Sequence, residues 1–311
     1  MFPPRRIASL LSSSTEILYG LGAGNDVVAV SHECDFPAEV IGKPRATFTN
    51  IAVGAPGADI DAQVKQLLAE GRPLYEIDRE LLGRLQPDLI VTQAQCDVCA
   101  VRYDDVVATV ASMPELRGTP IVALNPQGLD DIFDDVTRVG AAIGRVAEAA
   151  AYRGSLEARI AAVRNRTASL PAGGRRRTAC VEWIEPLMIA GNWTPELVDI
   201  AGGVQTLAVA GRHSTYTPWD EVRTFDPEVI IVMPCGFDLP RTVVEAARLP
   251  ELPGWSQLAA VRAGRVFAVD GNALFNRSGP RIVDSLELLA SLIHPDLHGR
   301  APATAYATLM S

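Results

Sequence analysis

The chain has 311 residues, 48% hydrophobic and 21% charged, a balance that belongs to folded globular proteins and excludes a disordered chain. That length accommodates two ordinary α/β domains. A formal net charge of −9 argues against a nucleic-acid partner and leaves a neutral or cationic ligand open.

The chain opens on Met1-Phe2-Pro3-Pro4-Arg5-Arg6 and carries no leader pattern there. As written this predicts a cytoplasmic protein; a chain trimmed of its leader would instead be periplasmic or lipid-anchored. No apolar run reaches the roughly 18 residues needed to cross a bilayer, so no membrane insertion is expected. The first strand is predicted at Ile7-Ala8-Ser9-Leu10-Leu11. Ser12, Ser13 and Ser14 follow as N-cap candidates, and Ile17, Leu18 and Leu21 continue with helical spacing. A helix N-terminus beyond a strand end offers N–H groups to a polar ligand, so the three serines read equally as ligand contacts or as caps. A second strand, Val27-Val28-Ala29-Val30, leads into Ser31-His32-Glu33-Cys34. Residues 43–57 read as loop and 59–71 as a helix. Asp88-Leu89-Ile90-Val91-Thr92 reads as a buried strand behind Gln86-Pro87, and it opens into Gln93-Ala94-Gln95-Cys96-Asp97-Val98-Cys99. Helix 101–110 and strand 120–124 follow, an alternation that predicts a parallel, doubly wound lobe.

From Asp130 to Ala168 the pattern stays helical, interrupted near Gly140 and Gly144. A helix over about 145–169 would be roughly 37 Å long and is the candidate connector between lobes. A helical connector has no hinge loop, so closure on a ligand is expected to be small. In the second half, strands are predicted at 177–183, 187–190, 229–233 and 266–269. Helices are predicted near 195–198, 241–247 and 282–293. The fold class expected is therefore α/β: two Rossmann-like α/β lobes, 1–144 and 171–311, bridged by one long helix, 145–170, with a ligand cleft between the lobes.

Four of the five cysteines lie at or just past strand ends. Cys96 and Cys99 have zinc-type spacing, His32 and Cys34 could complete a tetrahedral set, and Cys235 would approach from the other lobe. Two roles compete for these residues: ligands of a bare zinc or iron ion, or an axial ligand to a metal carried inside a chelate. A cysteine-dependent redox enzyme is the alternative from another class. Cys180 reads as a core residue. Trp183, Trp193, Trp219 and Phe237 fall in loops or at strand ends, where flat apolar rings suit a large planar ligand. Arg277, before Pro280 at a helix start, could place a cation near the cleft. There is no phosphate loop, no nucleophile elbow and no identifiable catalytic residue, so a non-enzymatic protein is expected.

Several motifs together resemble one family. They are Leu11-Ser12-Ser13-Ser14-Thr15-Glu16, Val30-Ser31-His32-Glu33-Cys34-Asp35-Phe36-Pro37, Leu85-Gln86-Pro87-Asp88-Leu89-Ile90, Gly202-Gly203, Thr217-Pro218-Trp219-Asp220-Glu221-Val222 and Phe275-Asn276-Arg277-Ser278-Gly279-Pro280-Arg281. The chain resembles, over nearly its whole length, the cobalamin-binding members of the helical-backbone (class III) substrate-binding proteins of ABC importers, a group that includes siderophore and haem binders. The resemblance implies cobalamin or a related metal chelate as ligand and an ABC permease as a partner. It implies ligand contacts from Ser12, Ser13 and Ser14, from Ser31 to Cys34 (His32 and Glu33 among them), from Gln93 to Cys99, and from Trp183, Trp219, Phe275 and Arg277. The Cys96–Cys99 pair departs from the family pattern.

Overall fold

The structure, a computed structural model, describes residues 3–95, 98 and 100–309. Packing divides the chain into two compact units. The first holds Met1–Ala55, Asp59–Pro126 and Asp130–Ser155; the second holds Pro56–Ala58, Gln127–Leu129 and Leu156–Ser311.

The first half runs β1 (Ile7–Ser9), α1 (Ser12–Gly20), β2 (Val27–Val30), β3 (Thr47–Thr49), α2 (Gly57–Ala69), β4 (Tyr75–Ile77), α3 (Arg79–Leu85), β5 (Leu89–Gln93), α4 (Tyr103–Ser112), β6 (Ile121–Leu124) and α5 (Leu129–Ala142). Four of these strands form a parallel sheet in the order β2-β1-β5-β6. The period-2 alternation of β1 and β5 divides their side chains between two cores. Ile7, Leu89 and Val91 pack with Ile17 and Leu18 of α1 and Val136 and Val139 of α5 on one face. Ala8 and Ile90 pack with Leu82 of α3 and Val106 and Val110 of α4 on the other. Because β2 and β5 flank β1 on opposite sides, the strand order reverses there. The loops after β1 and β5 therefore leave a crevice at their carboxyl ends.

The pair β3–β4 is antiparallel and stands outside this sheet. β3 lies within the stretch 43–57 expected to be loop, and β4 is an element that no sequence signal marks. Each strand is three residues long, too short to display an alternation, and only their mutual pairing defines them.

A single helix, α6 (Val146–Thr167), follows α5. At 22 residues it is about 33 Å long. Its buried residues Ala149, Leu156, Ile160 and Val163 form one apolar stripe. The division between the two units falls inside it, between Ser155 and Leu156. Gly144, at φ +72°, ends the preceding helical run in the left-handed region that favours glycine.

The second half runs β7 (Arg176–Trp183), β8 (Met188–Ile189), α7 (Thr194–Ile200), β9 (Gly203–Val204), β10 (Thr215–Tyr216), α8 (Trp219–Phe225), β11 (Val229–Val232), α9 (Leu239–Ala246), α10 (Ala259–Arg262), β12 (Val266–Val269), α11 (Ile282–Ile293), α12 (Pro295–His298) and β13 (Tyr306–Thr308). The strand order is β10-β8-β7-β11-β12-β13, with β9 paired to β7. Its centre, β7-β11-β12, is parallel, and β8, β10 and β13 run antiparallel to their neighbours. The parallel centre directs the carboxyl ends of β7, β11 and β12 to one edge of this unit.

Candidate functional site

In the first unit the site is built from the loops after β1, β2 and β5. The serine run forms the first turn of α1, capped by no side chain. Ser14 is spent internally: its Oγ lies 2.6 Å from Ser9 Oγ and donates to the Leu11 carbonyl at 2.8 Å. Ser12 and Ser13 are buried, and Ser12 Oγ has no hydrogen-bond partner among the described residues. Cys34 joins the same interior. Its Sγ is 3.1 Å from Thr15 Oγ1, and the residue is part of the sheet-to-α1 core.

His32 is the most defined polar group here. Its backbone N–H donates to Thr47 Oγ1 at 3.0 Å, and its Nδ1 lies 2.8 Å from that same oxygen. Thr47 in turn donates to Ser31 Oγ at 3.2 Å. With the threonine proton committed, Nδ1 must be the donor, so Nε2 carries the lone pair. The ring lies 5.4 Å from that of Tyr75, and Glu33 Oε1 is 3.9 Å from Nε2. Burial and then the charge of Arg45 pull the His32 pKa down to about 4, so the imidazole is neutral at physiological pH. Arg45 also donates to the carbonyls of Ser31 and Cys34, fixing the loop that carries His32. Glu33 itself is exposed.

Gln93 closes the neck of the loop after β5. Its Nε2 donates to the Val101 carbonyl at 3.2 Å and its Oε1 accepts from Gln95 N at 2.7 Å. Cys96 and Cys99, inside that loop, lie outside the described residues. Among the described residues there is no group of three or more His, Cys, Asp or Glu side chains able to hold a metal ion.

In the second unit the strand ends bring Trp183, Cys235, Phe237 and the segment 270–277 to one edge. The Trp183 and Phe237 rings lie 5.2 Å apart, tilted by 53°. The Arg241 guanidinium stacks 3.6 Å over the Phe237 ring, a contact that no motif announces. The loops after β11 and β12 touch. Asn276 Nδ2 donates to the Met233 carbonyl at 3.0 Å, and a Cβ on Gly271 would stand 2.3 Å from the Pro234 carbonyl oxygen, so only glycine fits. Arg277 is buried and donates to Asn272 Oδ1 at 3.3 Å. Phe275 is 1% exposed, and its carbonyl accepts from Trp193 Nε1 at 3.0 Å. Trp219 stacks on Trp255 at 6.0 Å and gives its N–H to the Pro253 carbonyl at 2.8 Å, a packing role within the second-unit core. Cys180 is fully buried, and desolvation holds its thiol far above the ordinary range.

Sequence reasoning named His32 but not the residues that set its tautomer, Arg45 and Thr47. Phe36, in the motif that carries His32, is 45% exposed just past that loop.

The model of the family described as "Periplasmic binding protein" matches residues 7–273. A curated relative, the uncharacterized ABC transporter substrate-binding lipoprotein YvrC of Bacillus subtilis, is 22% identical over 296 residues, covering 94% of this chain and 81% of the relative. Among solved structures, a periplasmic heme-binding protein from Pseudomonas aeruginosa superposes with a TM-score of 0.71 at 17% identity, covering 99% of both chains. The periplasmic vitamin B12 binding protein BtuF of Vibrio cholerae gives 0.64 at 21% identity, covering 94% of this chain and 98% of that one. An ABC-type Fe3+-hydroxamate transport protein from Saccharomonospora viridis gives 0.62 at 18%, covering 94% and 93%. With the family model spanning most of both α/β units, the chain belongs to the periplasmic binding protein family.

Proposed function

We propose that this protein is the solute-binding component of an ABC importer and that its solute is cobalamin, another corrinoid or a related large metal chelate. The observation that carries this reading is His32. Its Nδ1 is committed to Thr47, and its Nε2 is a neutral metal donor held in a partly buried loop. A bare ion would need two or three further protein donors around it. A metal that brings its own equatorial ligands needs only one axial donor from the protein. Within the second unit Trp183, half-buried and packed on the buried Phe237, has the flat apolar ring that suits a large macrocycle. The relatives described as binding vitamin B12, heme and Fe3+-hydroxamate support the same ligand class.

A permease partner and a location outside the cytoplasmic membrane follow from this reading and from the lipoprotein relative. The expectation of a cytoplasmic protein gains no support from the family. Among the described residues no helix is long and apolar enough to cross a membrane.

The test is titration of purified protein with hydroxocobalamin and with haemin, followed by absorption spectra. A shifted spectrum with one of them, lost in His32→Ala, is expected. Protein that shifts neither spectrum and retains neither compound on desalting overturns the proposal.

A further inference from the structure

The second unit contains a cavity of about 460 Å³ built on α6, α11 and the segment between α12 and β13. That volume lies in the range of small-molecule sites. None of Trp183, Cys235, Phe237 or Arg277 lines it, so it is distinct from the strand-end site described above. Val163, Leu274 and Leu288 supply its apolar walls, and Arg166, His298 and Arg300 supply its polar ones.

The charges divide in a way that points to one kind of ligand. Arg159 also lines the cavity, but its guanidinium is spent: it donates to Glu287 at 2.9 and 2.7 Å and to Asp284 at 2.5 Å. Those two carboxylates are thereby committed to Arg159. Among the described residues, Arg166 and Arg300 make no ion pair. His298 places Nε2 3.3 Å from Thr167 Oγ1, while its Nδ1 is buried with no hydrogen-bond partner. A buried ring nitrogen without a partner is unfavourable unless a ligand or water completes it. Two unpaired guanidiniums thus stand beside an apolar floor.

We propose that this cavity binds a small organic acid with a short apolar body, its anionic head on Arg166 and Arg300 and its tail on Val163, Leu274 and Leu288. The ligand class follows from complementarity. A cation would face two unpaired arginines, and a neutral alcohol would leave both charges uncompensated. This inference does not rest on the chelate reading: of the strand-end segments it shares only Leu274, an apolar wall, and none of Trp183, Cys235, Phe237 or Arg277.

The experiment is calorimetric titration of the full chain with hexanoate, hexanol and hexylammonium, on wild type and on the Arg166→Ala, Arg300→Ala double variant. Both arginines are exposed, so the double variant is expected to melt at the wild-type temperature. Hexanoate should bind one to one, and the double variant should bind it about tenfold more weakly or worse. Hexanol and hexylammonium should give no comparable heat. Protein saturated with hydroxocobalamin should bind hexanoate unchanged, and intermolecular NOEs should connect hexanoate to the Val163 and Leu288 methyls. Absence of hexanoate binding, equal binding by the double variant, equal binding of hexylammonium, or displacement of hexanoate by the corrinoid would each overturn the assignment.

Discussion

Asp135 shows how strongly burial acts on a single residue. It lies on α5 with Ile132, Val136 and Val139 buried around it, and it is 1% exposed. One carboxylate oxygen pairs with Arg138; the other, Oδ2, is buried with no partner among the described residues. Desolvation raises its pKa to about 7, against the opposing charge of Arg138 and helped by Asp131 and Asp134. The folded protein therefore holds this proton more tightly than the unfolded chain does. The resulting stabilisation is complete below about pH 4 and is lost as pH rises through about 7. Asp135→Asn should remove that dependence. Urea unfolding at pH 5 and pH 8 should show the wild type losing on the order of 3 kcal/mol that the variant keeps; equal losses in the two proteins would refute the assignment. His32 has the opposite sign. Its pKa of about 4 means that the folded state resists protonation, so stability from this group is lost as pH falls from about 6.5 through 4. Ligation through Nε2 should accordingly persist at pH 5 and fade near pH 4, readable in the same corrinoid or haem spectra.

At the scale of elements, close approach and shared termini do the positioning. Gly140 on α5 is where α6 packs: a Cβ there would lie 2.3 Å from the Ala149 Cβ. Gly140→Ala should therefore destabilise by about 1–3 kcal/mol through overpacking, even though alanine is the better helix former. Thermal melting of that variant checks it, and an unchanged or raised melting temperature would mean that the two helices can separate without cost. Two helix starts are held by glutamates of the second unit. Gly57 N donates to Glu245 at 3.1 Å and Leu129 N donates to Glu196 at 2.7 Å, each carboxylate facing the positive end of a helix.

For the whole molecule, a ligand that binds only the folded state must stabilise it by mass action. Hydroxocobalamin or haemin, whichever shifts its spectrum, should raise the melting temperature as concentration rises. At about one hundred times Kd the gain is about 2.7 kcal/mol. Repeating the measurement on the Cys96→Ser, Cys99→Ser variant, with metal analysis alongside, tests the thiol pair. Stoichiometric zinc or iron lost in that variant would favour the bare-ion reading over the chelate.

The sequence by itself determined the repeating strand–helix units, the long helix and the strand-end placement of His32, because apolar periodicity and turn residues are local signals. The family motifs added the two-lobe class, which the match over residues 7–273 bears out. Tertiary structure alone decided which end-of-strand residues keep a group to offer. Trp219 and Phe275 sit in well-matched motifs, yet Trp219 is stacked on Trp255 and Phe275 is buried. Cys34 is consumed by Thr15, on a different element, and Ser14 by Ser9 across the turn between β1 and α1. His32, by contrast, is tuned by Thr47 and Arg45 from a segment whose three-residue strand left no readable pattern. Hydrogen-bond partners and burial are set by residues brought together in space, and a linear pattern records only which face a side chain prefers.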